Sequence, residues 1–525
     1  MPPLSGVVLH PPLAGCAPWR HDNRNASPGG TVGRCGLGRR VPAAVLLCAL
    51  LAGCAAAPQP PDPADGPEAA CRAFFHDLDA ATNEAGVRDG IGPPADDFPY
   101  LRSTRFLQSF VPELDDRYVR TAWLDAAQAT DRQARRLELS HLDEGRVREI
   151  RLPEEAGNAD EAIRTCSERL RKADALDAEE GPWPRAAKAL EVGDDYITWH
   201  RAAGVYPVSR WFIRSGVAVW QRGVRSSFEN HRPEEAPALQ YGPGHGSPDL
   251  DAARQLVAAA PLNALGWPDM PGGDWRRLFE HYAPVLEAEA DAPYNRLGRP
   301  NLDADGLPVV DTADPVVYTH ASGVRYGDET LIQLNYTWWF TERPLDHWLD
   351  LLGGRLDGLT LRLTLDRNGE LLLVESMHNC GCYHQHYPVN GLAVKDSPDY
   401  AEPPLVLPGP GQPRAGERLH VRLEDGSHYV SHMAFAEDDA NGRRYVFDDY
   451  DSLRSVPVEN GRRRSLFQPD GLVTGTERSE RWFFWVSGVP EPGAMRQYHR
   501  HPTAFMGRRH FDDPDLLERI YRREQ

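Results

Sequence analysis

The segment HNCGCYHQH, His378 to His386, sets two thiols and three imidazoles at alternate positions: His378, Cys380, Cys382, His384 and His386. Cys and His are the side chains that ligate zinc and copper, and a close pair of thiols can also cycle between thiol and disulfide. A continuous strand advances about 6.6–7 Å per two residues, so five ligands on one face would be spread too far for one ion. Ligand bonds of about 2.0–2.3 Å require donor atoms within roughly 4 Å of one another. Gly381 and Pro388 mark a bend, and the bend is expected to gather Cys380, Cys382 and His384 around a single point, with His378 beside them. Two other readings stay open. One is a strained, easily reduced Cys380–Cys382 disulfide in a thiol oxidoreductase; the other is a set of buried cysteines and histidines that only pack.

Further ligands are available in the tail AMRQYHRHPTAFMGRRHFDDPD. His501 and His510 are the preferred additions, His499 repeats the alternate spacing with His501, and His320 ranks below them. Glu375 is a candidate base for a metal-bound water, although on a regular strand it falls on the face opposite His378. The stretch NLDADGLPVVDT begins like a calcium loop at Asn301, Asp303, Asp305 and Gly306, but Thr312 stands where the closing glutamate belongs, so an acidic turn is expected. The sequence contains no nucleophile elbow, phosphate loop, H-E-x-x-H or dinucleotide fingerprint.

The elements that must hold these residues divide into two halves, an α+β arrangement. Residues 68–300 read as mainly helical, with apolar side chains three and four apart. Residues 301–525 read as β-rich and mostly antiparallel: PVVYTH, TLIQLNYTWWF, LTLRLTL, ELLLVES, RLHVRL, HYVSHMAF, RRYVFDD and RWFFWVSG alternate or are rich in β-branched and aromatic residues, and DPDLLERIYRRE closes the chain as a helix. Asn368-Gly369 supplies a hairpin turn. Cys71 shares a helical face with Phe74, Phe75 and Leu78, and Cys166 shares one with Ile163 and Leu170, so Cys71 and Cys166 are expected to form a disulfide. The apolar segment YPVSRWFIRSGVAVWQRGVRSSF suits either packing against the next domain or a membrane-touching face with Arg210, Arg214, Arg222 and Arg225 at headgroup level.

Residues 1–53 read as a leader: Arg34, Arg39 and Arg40 precede the apolar run VPAAVLLCALLAG, which falls short of the about 20 residues a lasting span needs. Leu51-Ala52-Gly53-Cys54 resembles the lipobox of bacterial lipoproteins. That resemblance implies cleavage before Cys54, acylation of Cys54 (palmitate among the chains) and, since Ala55 is not aspartate, an outer-membrane, periplasm-facing location. Residues 54–67 form a Pro-rich tether. LNYTWWFTERP, NCGCYH and GRRHFDDP have the look of a bacterial lipoprotein group to which no activity attaches. The leader carries five arginines and one aspartate, so the net charge of −19 becomes −23 without it. Nucleic acid is therefore not an expected partner, and an envelope component is. Together these features lead to a lipid-anchored envelope protein with a Cys/His zinc or copper site, a metal-dependent hydrolase if it is an enzyme of that site; the alternatives are a non-catalytic scaffold with a structural metal or disulfide, or the thiol oxidoreductase.

Overall fold

The computed structural model describes residues 66–230, 238–244, 248–345, 347–348, 350–437, 442–458 and 461–523. The leader, Cys54 and nearly all of the tether lie outside them. Among the described residues six helices run to ten residues or more: α1 (Pro67–Ala85), α2 (Arg117–His141), α3 (Ala159–Ala173), α4 (Tyr206–Glu229), α5 (Leu250–Ala259) and α6 (Gly272–His281). None is long and apolar enough to cross a membrane.

Helix α1 buries Cys71, Phe74, Phe75 and Leu78, one face at helical spacing, and ends at Gly86 in the left-handed conformation that glycine adopts without strain. Helices α2 and α3 start at side-chain caps, Asp116 and Asn158. Against α1 lies the Cys166–Ile163–Leu170 face of α3, and the Cys71–Cys166 disulfide forms there with Cα atoms 5.1 Å apart. Charge is buried in this layer too: Arg102 and Arg135 pair with Asp131, and Arg102 also pairs with Glu138, every one of them sealed from solvent.

The strands of the large sheet are β1 (Leu239–Pro243), β2 (Val285–Ala288), β5 (Val316–Tyr326), β6 (Glu329–Arg343), β7 (Gly354–Leu365), β8 (Leu371–His378), β9 (Gln385–Pro388), β11 (Leu405–Val406), β12 (Glu417–Leu423), β13 (Val430–Glu437) and β14 (Arg443–Asp449). Numbers β3 (Arg299–Leu302), β4 (Pro308–Asp311) and β10 (Leu392–Val394) belong to small two-stranded pairings. The large sheet runs β11-β9-β8-β7-β6-β5-β14-β1-β2-β12-β13. Helices lie mostly in the first half of the chain and strands in the second, an α+β fold, but the sheet is mixed. Four of its ten junctions are parallel (β11–β9, β5–β14, β14–β1 and β2–β12). Two strands, β1 and β2, come from the stretch read as helical, and the described residues fall within one compact unit.

Most of the expected strands form, and Asn368-Gly369 closes the β7–β8 hairpin with Gly369 at φ +77°. RWFFWVSG does not. Arg481–Phe484 is a helical turn continued by Trp485–Ser487, and Trp482 and Phe483 face solvent, so aromatic content misleads where no partner strand pairs. The closing helix is only Leu516–Ile520, after which Tyr521–Arg523 pairs with β10. The calcium-like stretch is the β3–β4 turn, where Asp303 accepts from the amides of Asp305 and Leu307.

The two faces of the central strands differ. Leu334, Tyr336 and Trp338 on β6 and Leu359, Leu361 and Leu363 on β7 join the main apolar core. The other face is polar yet buried, because the C-terminal residues 495–521 lie over it. Phe511 caps Arg362, whose guanidinium sits 3.7 Å from the ring centroid.

Candidate metal centre and the polar row

Cross-strand pairing sets His320 (β5) opposite Asn335 (β6), Asn335 opposite Arg362 (β7), Arg362 opposite Glu375 (β8), and Glu375 opposite His386 (β9). Residues directly paired across antiparallel strands share a face. One unbroken row of five polar side chains therefore crosses five strands.

At the β9 end the row closes on a three-donor group. His384 Nε2 is 3.1 Å from Glu375 Oε1, His386 Nε2 is 3.2 Å from the same oxygen, and the two Nε2 atoms are 3.1 Å apart. Three donors bound at about 2.0–2.1 Å to one tetrahedral ion stand roughly 3.3–3.4 Å from each other, so this triangle is already close to the size of a ligand set. Among the described residues Glu375, His384 and His386 are the group that could hold a metal ion.

The surroundings fix all three. Arg362 donates through Nε to Glu375 Oε2 at 2.7 Å and through Nη2 to Oε1, while its Nη1 donates to the Phe511 carbonyl. His386 Nδ1 is 2.9 Å from the Tyr521 hydroxyl, the orienting hydrogen bond that ligating histidines use. His384 rests edge-on against Phe511. Burial works against charging Glu375, yet Arg362 and the two histidines hold its carboxyl well below the ordinary carboxylate range. Burial likewise drives the His384 ring well below its usual value and lowers that of His386, which keeps both neutral and able to ligate.

The expected donors separate. His384 is in the group; Cys380 and Cys382 are not. Both thiols are buried and reduced, in an apolar cluster with Met377, Met495 and Phe511. Neighbouring Cys380 and burial push the Cys382 thiol well above its ordinary value. The reason is the bend itself. Gly381 and Tyr383 take left-handed backbone (φ +88° and +60°), the His378 amide donates to the Cys382 carbonyl, and the loop reverses the chain between His378 and His384. The cysteines ride on that loop, while β9 returns His384 and His386 to the face of Glu375. Face counting along a single strand sets Glu375 apart; hairpin pairing brings it in.

His378 instead faces Asp357, which also takes a 2.6 Å hydrogen bond from His428. His501 Nε2 reaches the Asn379 carbonyl at 3.2 Å. His510 is held among Asp194, Asp195 and Asp513 at 3.4–3.6 Å. The signal for the missed ligands is partly present in the sequence: His386 belongs to the alternating run, but Glu375 depends on register. No family model, curated protein or solved structure matches the chain.

Proposed function

We propose that this chain is a membrane-surface protein of the bacterial envelope, lipid-anchored through Cys54 at the outer membrane and facing the periplasm, with a buried Glu375–His384–His386 transition-metal centre. The observation that carries the metal reading is the triangle of two imidazole nitrogens and one carboxylate oxygen 3.1–3.2 Å apart. A nitrogen-rich set with one carboxylate suits zinc, and copper as the second choice. The role that fits is structural. All three side chains are sealed from solvent, so an ion there would tie β8 to β9, beside the Tyr521 hydroxyl that holds His386, without meeting a substrate. This favours the scaffold reading over hydrolysis at the metal. Neighbouring Cys380 and burial, which push the Cys382 thiol well above its ordinary value, disfavour an oxidoreductase.

The membrane reading has support beyond the lipobox. Helix α4 buries only Ile213 and Val224 and exposes Val208, Trp211, Phe212 and Val219; Phe212 is 78% exposed. The turns Thr198–Ala203 and Arg481–Phe484 lie in the same neighbourhood, joined through Trp485–Ser487, and add Trp199, Trp482 and Phe483. Arg210 and Arg214 flank Trp211, and Arg481 lies over Trp482. In a chain of net charge −19, α4 carries four arginines and one acid, Glu229. Exposed aromatics beside arginines match the acyl–headgroup boundary.

Metal content of the purified mature protein tests the centre. About one equivalent of zinc is expected in the wild type and in a Cys380→Ser/Cys382→Ser variant, and almost none in Glu375→Gln/His386→Ala. Equal metal in all three overturns the reading.

A further inference from the structure

The other end of the polar row opens into a cleft of about 780 Å³, within the size range of small-molecule sites. His320 lines it, and neither of its ring nitrogens has a hydrogen-bond partner; Asn335 Oδ1, next along the row, has none either. Gln497 also lines the cleft. It is 2% exposed, its Nε2 donates to Asp89, and its Oε1 is unpartnered. Buried polar atoms left unpaired cost about 1–3 kcal/mol each, and three of these four lie on residues that line the cleft, so its wall is where the fold leaves hydrogen-bonding capacity unused.

The walls say what kind. Trp267 and Trp275 line it half-buried, stacked with centroids 5.5 Å apart and planes 22° from parallel, with Phe106 against Trp267. Opposite chemistry comes from Asp448, Asp449, Asp451 and Asp512, three of them held in ion pairs: Asp448 by Arg299, Asp451 by Arg454 and Asp512 by Arg105. That near-neutral balance offers phosphates and other anions no net attraction. An aromatic platform beside carboxylates and amide oxygens matches a ring with one apolar face and a rim of hydroxyl donors. Within the cleft, His499 Nδ1 pairs with Asp512 Oδ2 at 2.9 Å, and Arg105 braces Asp512 and the His499 carbonyl. Asp512 holds Nδ1–H, which leaves Nε2 as a hydrogen-bond acceptor. His499 keeps this position at φ +74°, a strained backbone of the sort that functional sites retain.

We propose that this cleft is a binding site for a neutral carbohydrate, a short oligosaccharide segment stacked on the open face of Trp275, which Trp267 backs, with hydroxyls meeting His499 Nε2 and the rim aspartates. The site is separate from the metal centre and stands without it. The test uses the full mature chain with chitotriose, maltotriose and cellotriose as neutral probes and inositol hexaphosphate as the anionic contrast, followed by tryptophan fluorescence and calorimetry. At least one neutral trisaccharide is expected to bind saturably with Kd below about 1 mM, weakened roughly tenfold by Trp275→Ala and by His499→Ala. Both positions are partly exposed, and an unchanged melting temperature establishes that each variant folds; if His499→Ala fails to fold, Trp275→Ala decides. Absence of saturable neutral binding, binding of the anion alone, or an affinity indifferent to Trp275→Ala overturns the proposal. Zinc removal with a chelator that leaves saccharide binding intact keeps its outcome distinct from that of the metal reading.

Discussion

Arg362→Met separates a metal centre from a merely polar core. Arg362 and Glu375 are sealed from solvent and joined by two hydrogen bonds, at 2.7 and 2.5 Å. Removing the guanidinium strands a buried carboxylate, and breaking such pairs costs about 3–5 kcal/mol. Two escape routes limit the loss. Protonating Glu375 at about pH 7.4, from an unfolded value of about 4.3, costs roughly 1.36 × 3.1, or about 4 kcal/mol. Protonating His384 or His386 costs only about 1 kcal/mol at that pH, plus the penalty of burying the cation. The expected loss with chelator present is therefore about 2–4 kcal/mol. Zinc supplies the missing positive charge, and Arg362 no longer repels it. With zinc the loss is expected to shrink by at least about 1.4 kcal/mol, equivalent to tenfold tighter zinc binding by the variant. Urea unfolding of wild type, Arg362→Met, Glu375→Gln and the double variant, each in zinc and in chelator, measures both quantities. A loss that is the same in zinc and chelator refutes the metal centre. A loss unchanged in the Glu375→Gln background refutes the pairing from which it is worked.

The Cys71–Cys166 bridge closes a span of 95 residues, for which chain entropy gives about 4–5 kcal/mol; Cys71→Ala/Cys166→Ala is expected to lose that much in chemical unfolding, and a loss below about 1 kcal/mol would contradict it. Burial opposes charging of His510, but the carboxylates of Asp194 and Asp513, 3.5 and 3.4 Å from the ring, outweigh it and raise its pKa to about 9. Its stabilisation is complete below about pH 6.5 and disappears as pH rises through about 9, so His510→Gln should cost about 3 kcal/mol at pH 6 and little near pH 10 in paired unfolding curves. On the exposed aromatic face, Trp211→Ser/Phe212→Ser in a Cys54→Ser background is expected to weaken sedimentation with phosphatidylglycerol vesicles about tenfold or more; unchanged binding would remove that face from the membrane reading.

What the sequence disclosed follows from the range over which each signal acts. The Cys71 and Cys166 faces are set by helical spacing within four residues, so two short windows of sequence suffice to pair them. The Asn368-Gly369 hairpin is equally local. The metal donors are not. Alternation in HNCGCYHQH identifies candidates, but which ones converge depends on how many residues the β8–β9 reversal consumes. A different loop would have turned the cysteines inward and the histidines away. Arg362, Asn335 and His320 are beyond reach for the same reason, since register across four hairpins places them, and no short window contains it. LTLRLTL reads as one apolar and one polar face, and both readings hold; what the window lacks is the distant tail around Phe511 that buries the polar side.

The placement of satisfied and unsatisfied atoms along the row bears on where chemistry can occur. At the β9 end Arg362, Glu375 and His386 pair with one another, with Phe511 and with Tyr521, and only His384 Nδ1 lacks a partner. At the β5 end Asn335 Oδ1 and both nitrogens of His320 are unpaired, and the cleft begins there. A row built only to hold the sheet together would gain by pairing at both ends, because each buried orphan costs more than a hydrogen bond returns. Closure at one end and vacancy of partners at the other suits a division of labour, in which the metal end fixes the strands and the cleft end meets a ligand. Saccharide binding should then stabilise the chain with or without zinc, while His320→Leu, which fills the same space without polar atoms, should raise stability and lower affinity together. A variant that lost both would show instead that the orphaned nitrogens of His320 are satisfied within the fold.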